Sequence, residues 1–213
     1  MMKRTANKTK VKRRNFSSFT LAEAYQQLKL AKLISWELTI EPVAPTPFFD
    51  QRMERLKRFD LRIYEESKKL LIDAICEEAL ENFKTLKIWK GASLEAEATG
   101  GYVDYLITED RDYLEAPFLC VVEAKRDDFE QGLAQCLVEM QACQWRNQKI
   151  GRNITIFGIV TNGEGWKFYR LELTGQVYET VLYSLQDISI LLGVLTFVFS
   201  QCDRNLQNQS ILA

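Results

Sequence analysis

Three charged residues stand where two apolar segments would otherwise be buried. Asp104 lies inside residues 102–107, and Glu123 and Lys125 follow the apolar run at residues 117–122. Residues two apart on a β-strand project from the same face, so Glu123 and Lys125 should point together. If the two segments pair as a hairpin, Asp104 can stand beside Glu123 within reach of one ion. Two carboxylates, a backbone carbonyl and water are a ligand set that suits Mg²⁺.

This cluster suits chemistry on a phosphodiester. Lys125 would add positive charge where the transition state gains negative charge, and it could polarise the attacking water. An alternative stays open, because a Glu-x-Lys triplet is common and buried charges need partners. In that alternative, Glu123 and Lys125 form a purely structural ion pair.

The absence of histidine narrows the chemistry further. It removes Ser-His-Asp and Cys-His catalysis, and also His-ligated zinc sites. Any acid–base work must come from Asp, Glu, Lys, Tyr or Cys. The five cysteines form no Cys-x-x-Cys pair, which favours buried, reduced thiols and a cytoplasmic protein.

The elements that must position the cluster follow from periodicity and capping residues. The expected order is α, α, β, β, β, α, β, β, β, α. The first helix should begin at the capping box Thr20–Glu23 and run to about Trp36, and residues 50–83 should be helical with a break near Asp60. Strands are expected over 86–98, after a Gly100-Gly101 turn, and over 117–122. A helix follows from about residue 127 to Asn147, then strands over 154–160, 166–173 and 177–183, and a final helix.

The chain divides by composition into three parts. Residues 1–19 form a basic, flexible arm, residues 20–48 an N-terminal helix with a Pro-rich linker, and residues 49–213 the main domain. The first fourteen residues carry seven bases and no acid, which leaves 21 bases against 29 acids elsewhere. Such an arm is suited to phosphate contacts, and the alternative is a solvated tail. The expected contacts are Lys10, Lys12, Arg13 and Arg14.

Several strings together resemble the PD-(D/E)xK nuclease-like superfamily, the fold of many restriction enzymes. They are Gly-Tyr-Val-Asp-Tyr-Leu-Ile, then Val-Val-Glu-Ala-Lys, then Gln131-Gly-Leu-Ala-Gln135, then Gly-Ile-Val-Thr-Asn-Gly-Glu-Gly-Trp166. The resemblance covers residues 66–173. It implies an α/β, restriction-endonuclease-like fold: a central mixed β-sheet flanked by helices, an αβββαβ core, and an N-terminal helical extension.

The resemblance also implies roles for individual residues. Asp104 and Glu123 would hold Mg²⁺ or Mn²⁺, Lys125 would be catalytic, and Gln135 would complete the site from the following helix. Glu66 is the expected acid on the preceding helix, with Glu77 as the alternative. One departure is visible, because Val103 rather than proline precedes Asp104.

The expected function is Mg²⁺-dependent hydrolysis of nucleic acid by a restriction-like DNA endonuclease. The alternative is a catalytically silent nuclease-fold module that binds DNA or a protein partner. DNA is the expected partner and a homodimer fits the fold, with no membrane and no nucleotide cofactor. Glu139 is expected on a solvated helix face. The apolar run at residues 188–199 is expected to be a core helix, because it is short for a bilayer span.

Overall fold

The structure, a computed structural model, describes residues 13–61, 63–125 and 128–207. Lys10 and Lys12 lie outside the described residues. Within them the chain is an α/β protein with a mixed nine-stranded sheet flanked by helices.

Nine strands and five α-helices make up the described chain. The strands are β1 (Arg14–Asn15), β2 (Ile34–Ser35), β3 (Leu86–Glu95), β4 (Thr99–Glu109), β5 (Phe118–Ala124), β6 (Ile156–Thr161), β7 (Gly165–Leu171), β8 (Val177–Glu179) and β9 (Tyr183–Ser184). The helices are α1 (Leu21–Leu28), α2 (Pro47–Leu56), α3 (Glu65–Leu80), α4 (Phe129–Lys149) and α5 (Ile188–Gln207). Two 3-10 turns, Phe16–Ser18 and Leu185–Asp187, precede α1 and α5.

The sheet is built around two buried parallel strands. Every residue of β5 and of β6 is buried, as their nearly continuous apolar sequences predict. Helix α4 makes the crossover between them, since parallel neighbours cannot be joined by a tight turn. On either side, β4 and β7 pair antiparallel to this central couple, and β3 and β8 extend the sheet outward.

Helices cover the two faces of the sheet. Helix α4 packs on β5 and β6, and α1 packs on α4. On the opposite face, the Tyr105 hydroxyl of β4 donates a hydrogen bond to the Lys69 carbonyl of α3, which packs against α2 and α5. The hydrophobic core therefore forms one layer on each face of the sheet, centred on β4, β5 and β6.

The N-terminal segment departs from the expected helix and flexible arm. Helix α1 ends at Leu28 rather than near Trp36, because Lys29 adopts a left-handed conformation (φ 57°) that closes the helix. The chain then pairs β2 with β8, and Trp36 stacks on Phe157 with ring centroids 6.1 Å apart. Residues 13–19 also belong to the folded unit, since β1 pairs with β4.

The expected turn at Gly100-Gly101 is instead part of strand β4, and the reversal lies at residues 96–98. A Cβ at Gly100 would lie 3.2 Å from Arg13 Cδ, and one at Gly101 would lie 3.1 Å from Phe16 Cδ2. The two glycines therefore let the N-terminal segment pack closely on the strand. Glycine within a strand often marks such a close approach of another segment rather than a turn.

The final helix is longer than its apolar run indicates. Together with the preceding turn it spans Leu185–Gln207, 23 residues. Among the described residues, this helix is long and apolar enough to cross a membrane, judged by length and composition alone. Leu191, Val194, Leu195, Val198 and Phe199 are fully buried in the protein core. This burial is what a core helix requires, so its apolar composition is weak support for a membrane span.

Candidate active site

The pairing of β4 with β5 brings the two carboxylates together. Tyr105 pairs with Val122 in an antiparallel register, and one further step places Asp104 opposite Glu123. Directly opposite residues on an antiparallel pair share a face, with Cβ atoms about 4.5–5.5 Å apart. The hairpin relationship expected from the sequence is therefore present, and the site lies at the carboxyl end of β5.

Glu123 is the most unusual group of the cluster, because its side chain is only 1% exposed. The Lys125 Nζ lies 2.6 Å from Glu123 Oε1. Apart from this ion pair, neither Glu123 oxygen has a hydrogen-bond partner among the described residues. Burial, followed by the charge of Asp104, raises the pKa of Glu123 to about 8, although Lys125 acts in the opposite direction. A second positive charge would relieve this carboxylate.

Lys125 lies between β5 and α4. Its Nζ donates a hydrogen bond to Gln135 Oε1 at 3.2 Å, so Gln135 faces the site rather than the solvent. Burial lowers the pKa of Lys125, but the combined influence of Glu123, Asp104 and Glu65 outweighs burial, so the net pKa is raised. Gly132 gives the lysine room, because a Cβ there would lie 3.0 Å from Lys125 Cγ and 2.7 Å from Val160 Cγ1. The lysine is thus held charged beside Glu123.

Asp104 has partners of its own. Its Oδ2 accepts the backbone N–H of Ala124 at 2.9 Å, which fixes the carboxylate against the end of β5. Its Oδ1 lies 2.9 Å from Nζ of Lys69, a residue of α3. Burial opposes the charge of Lys69, but hydrogen bonds to Glu66 and Asp104 raise its pKa overall. Sequence reasoning missed this second lysine, since Asp104 becomes its neighbour only in the fold.

The acidic residues of α3 differ in their position relative to Lys69. Glu66, the expected site acid, binds Lys69 at 2.9 Å but its side chain is 83% exposed. Glu65 lies 3.5 Å from Lys69, and its charge is also among the influences that raise the pKa of Glu123, after burial and Asp104. Glu77 instead pairs with Arg52 of α2. The first turn of α3 therefore borders the site, with Glu65 acting on Glu123 more directly than Glu66 does.

The expectation that Glu139 lies on a solvated helix face is wrong. The residue is 0% exposed, and its Oε1 accepts a hydrogen bond from Gln135 Nε2 at 3.0 Å. Burial and then the charge of Glu123 raise its pKa well above the usual range. The sequence pattern could not decide this, because an acid one helical turn from a glutamine is compatible with either a solvated or a buried helix face.

The described end of the basic arm is already engaged. Arg13 pairs with Glu95 at 2.9 Å and donates to the Ala96 carbonyl, while Arg14 pairs with Glu23 at 2.7 Å. Both arginines remain partly exposed. They anchor the N-terminal segment to β4 and α1, so any phosphate contact from Arg13 or Arg14 would compete with these acids.

The side chains at the site can be compared with what a divalent cation requires. No group of three or more acidic, cysteine or histidine side chains suited to a metal occurs in the part of the chain that the structure describes. Two carboxylates from facing strands are present, however, and buried Glu123 has no hydrogen-bond partner there besides its ion pair with Lys125. Buried polar atoms of this kind need a partner, and a hard cation that keeps several waters can supply one. The residues therefore fit such an ion.

No protein-family model, no curated protein and no solved structure matches this chain.

Proposed function

We propose that this chain is a Mg²⁺- or Mn²⁺-dependent phosphodiesterase of nucleic acid, a restriction-like DNA endonuclease with the PD-(D/E)xK site and fold. The observation that carries the proposal is Glu123: a buried carboxylate without hydrogen bonds among the described residues, on one face with Asp104 and 2.6 Å from the ammonium of Lys125. An ion pair between Glu123 and Lys125 does not by itself require a second carboxylate opposite Glu123, whereas a shared divalent cation does.

Each residue has a defined task in the proposed reaction. Asp104 and Glu123 would hold the ion, which when bound would clamp the scissile phosphate and lower the pKa of a water. Lys125 orients the attacking water and offsets the negative charge that develops on the phosphate. Gln135 keeps the lysine in place through the 3.2 Å hydrogen bond. Lys69, next to Asp104, adds a second positive charge at the site.

Helix α2 offers a surface for the nucleic acid backbone. A groove of 230 Å³ on its outer face has no acidic lining residue and is lined by Phe48, Gln51, Arg52, Arg55, Leu56 and Phe59. Phe48 and Phe59 are more than half exposed. Arg55 and Arg58 are exposed and make no ion pair among the described residues. Arginines beside exposed rings suit a strand that presents both phosphates and base faces.

The second candidate is a nuclease-fold module that binds nucleic acid or a protein without cleaving it. The Lys69–Asp104 ion pair favours it, because Asp104 then has a cationic partner without any metal. The two candidates differ in one requirement. Only the first needs a divalent cation for its activity, whereas the second needs only the binding surface.

The experiment is a cleavage assay with DNA and RNA, single- and double-stranded, in Mg²⁺, Mn²⁺ or chelator. We expect metal-dependent cleavage that disappears in both Asp104→Asn and Lys125→Ala. The control is Lys87→Ala, which removes a lysine paired with Asp110 at the other end of β4 and should leave cleavage unchanged. Cleavage that survives either site change would overturn the assignment, and binding without cleavage would support the silent module.

A further inference from the structure

We infer that Glu139 is a positioning residue that sets the orientation of the Gln135 amide and thereby holds Lys125 at the site. This inference rests on the proposed function, since it gives Lys125 a part in cleavage. It adds a residue that touches neither metal nor substrate. Glu139 lies one helical turn beyond Gln135 on α4, and its side chain is fully buried.

The two ends of the Gln135 amide have different partners. Gln135 Oε1 accepts from Lys125 Nζ at 3.2 Å, and Gln135 Nε2 donates to Glu139 Oε1 at 3.0 Å. A glutamine amide has one accepting end and one donating end, and a lysine ammonium can only donate. If the amide were reversed, its N–H₂ group would face the ammonium and the hydrogen bond to Lys125 would be broken. The acceptor at Glu139 selects the productive orientation.

Stability alone does not account for a carboxyl group at this place. Glu139 Oε2 has no hydrogen-bond partner in the described chain, although it is buried. An unpaired buried polar atom is unfavourable, and apolar replacements of buried charged groups are often neutral or stabilising. Among the described residues, the hydrogen bond that the Glu139 side chain accepts leads to Gln135, and through it to Lys125.

Two substitutions separate positioning from a merely structural role. Glu139→Gln keeps an oxygen that can accept from Gln135, and Glu139→Leu removes every acceptor at similar size. We expect Glu139→Leu to unfold at the same or a higher temperature than the unmodified chain, yet to lose about 10- to 100-fold in kcat with little change in KM. Glu139→Gln should retain most of the activity. A structural role predicts instead that stability and kcat fall together in Glu139→Leu.

A second readout does not depend on cleavage. The Gln135 side-chain amide is followed by NMR in the metal-free protein, its signal being assigned by its loss in Gln135→Glu. We expect protection of this amide from solvent exchange in the unmodified chain and in Glu139→Gln, and loss of protection in Glu139→Leu. An unchanged amide signal in Glu139→Leu would overturn the inference, as would full cleavage by a Glu139→Leu protein whose amide has lost protection. If the unmodified chain cleaves nothing while the amide behaves as expected, the proposed function fails and the structural link stands.

Discussion

Lys69 of α3 and Asp104 of β4 form an ion pair with 2.9 Å between Nζ and Oδ1. The pair joins the first turns of a helix on one face of the sheet to a carboxylate at the candidate metal site. Because an ammonium and a divalent cation compete for the same oxygen, Lys69 would lower the metal affinity of the proposed site. The ion pair also gives Asp104 a cationic partner from within the protein.

The first prediction concerns this competition. Lys69→Met should bind Mn²⁺ about tenfold more tightly, since two unit charges a few Å apart near a protein surface interact by roughly 1–4 kcal/mol. Isothermal titration calorimetry measures the affinity. The matched control is Lys87→Met, which removes the lysine paired with Asp110 and should leave the affinity unchanged. Weaker binding in Lys69→Met would show that Lys69 supports the metal site rather than competing with it.

The second prediction concerns pH. The folded chain holds a proton on Glu123 up to about pH 8, whereas the ordinary pKa of the group is 4.5, so the folded state binds this proton more tightly than the unfolded state. The stability that the proton contributes is complete below pH 4.5 and is lost as the pH rises toward 8. Glu123→Gln should therefore gain free energy of unfolding relative to the unmodified chain as the pH rises through this window. Urea unfolding measures the difference.

The control for the pH experiment is Glu172→Gln, which alters a partly exposed acid paired with Arg170 near the other end of the sheet. This change reports the general effect of removing one acid away from the Asp104–Glu123 cluster. If the difference between Glu123→Gln and the unmodified chain were the same at both ends of the window, Glu123 would not carry the raised pKa.

The third prediction concerns the space around Lys125. In Gly132→Ala the new methyl group would meet Val160 Cγ1 at 2.7 Å and Lys125 Cγ at 3.0 Å. We expect the stability to fall by roughly 1–3 kcal/mol, as overpacked cores show, together with slower cleavage at temperatures where the variant is folded. Thermal unfolding and a cleavage assay on the same preparation measure the two effects.

Gly193→Ala is the matched helix glycine, because its methyl group would clash with the Glu41 carbonyl oxygen, away from the site. It should lose stability but keep the cleavage rate of its folded fraction. Equal cleavage rates for folded Gly132→Ala and folded Gly193→Ala would show that cleavage does not depend on the close packing around Lys125.

The fourth prediction concerns nucleic acid binding. Replacing both Arg55 and Arg58 by serine should weaken binding and flatten its salt dependence, by about one unit of slope for each phosphate that is no longer neutralised. Removing residues 1–12 should do the same through the arm, while leaving β1 in place. Fluorescence anisotropy at several salt concentrations measures both. The control is Lys149→Ser, at the far end of α4. If its effect on binding were as large as that of the arginine changes, the binding would reflect nonspecific electrostatic attraction.

The sequence predicted the parts of the site that depend on strand periodicity and local signals. Alternation placed Glu123 and Lys125 on one face, and the apolar run before them marked a buried strand. Gln135 was expected from the resemblance rather than from any local pattern, and its hydrogen bond to Lys125 places it at the cluster.

The remainder depended on contacts between segments far apart in the chain. Lys69 meets Asp104 across 35 positions, and nothing near either residue indicates that pairing. The burial of Glu139 arises from the packing of α4 on β5 and β6. Strands β1 and β2 are two residues long, too short for any periodic signal, so the pattern of the N-terminal segment predicts a helix and an arm instead.

The central claim is that Asp104 and Glu123 share one divalent cation, and crystals soaked in Mn²⁺ test it most directly. The anomalous difference map should show one Mn²⁺ peak in contact with both carboxylates, with Lys69 moved away from Asp104. A map without a peak at this place, in which Lys69 still lies on Asp104 and Lys125 on Glu123, would contradict this claim and leave two structural ion pairs.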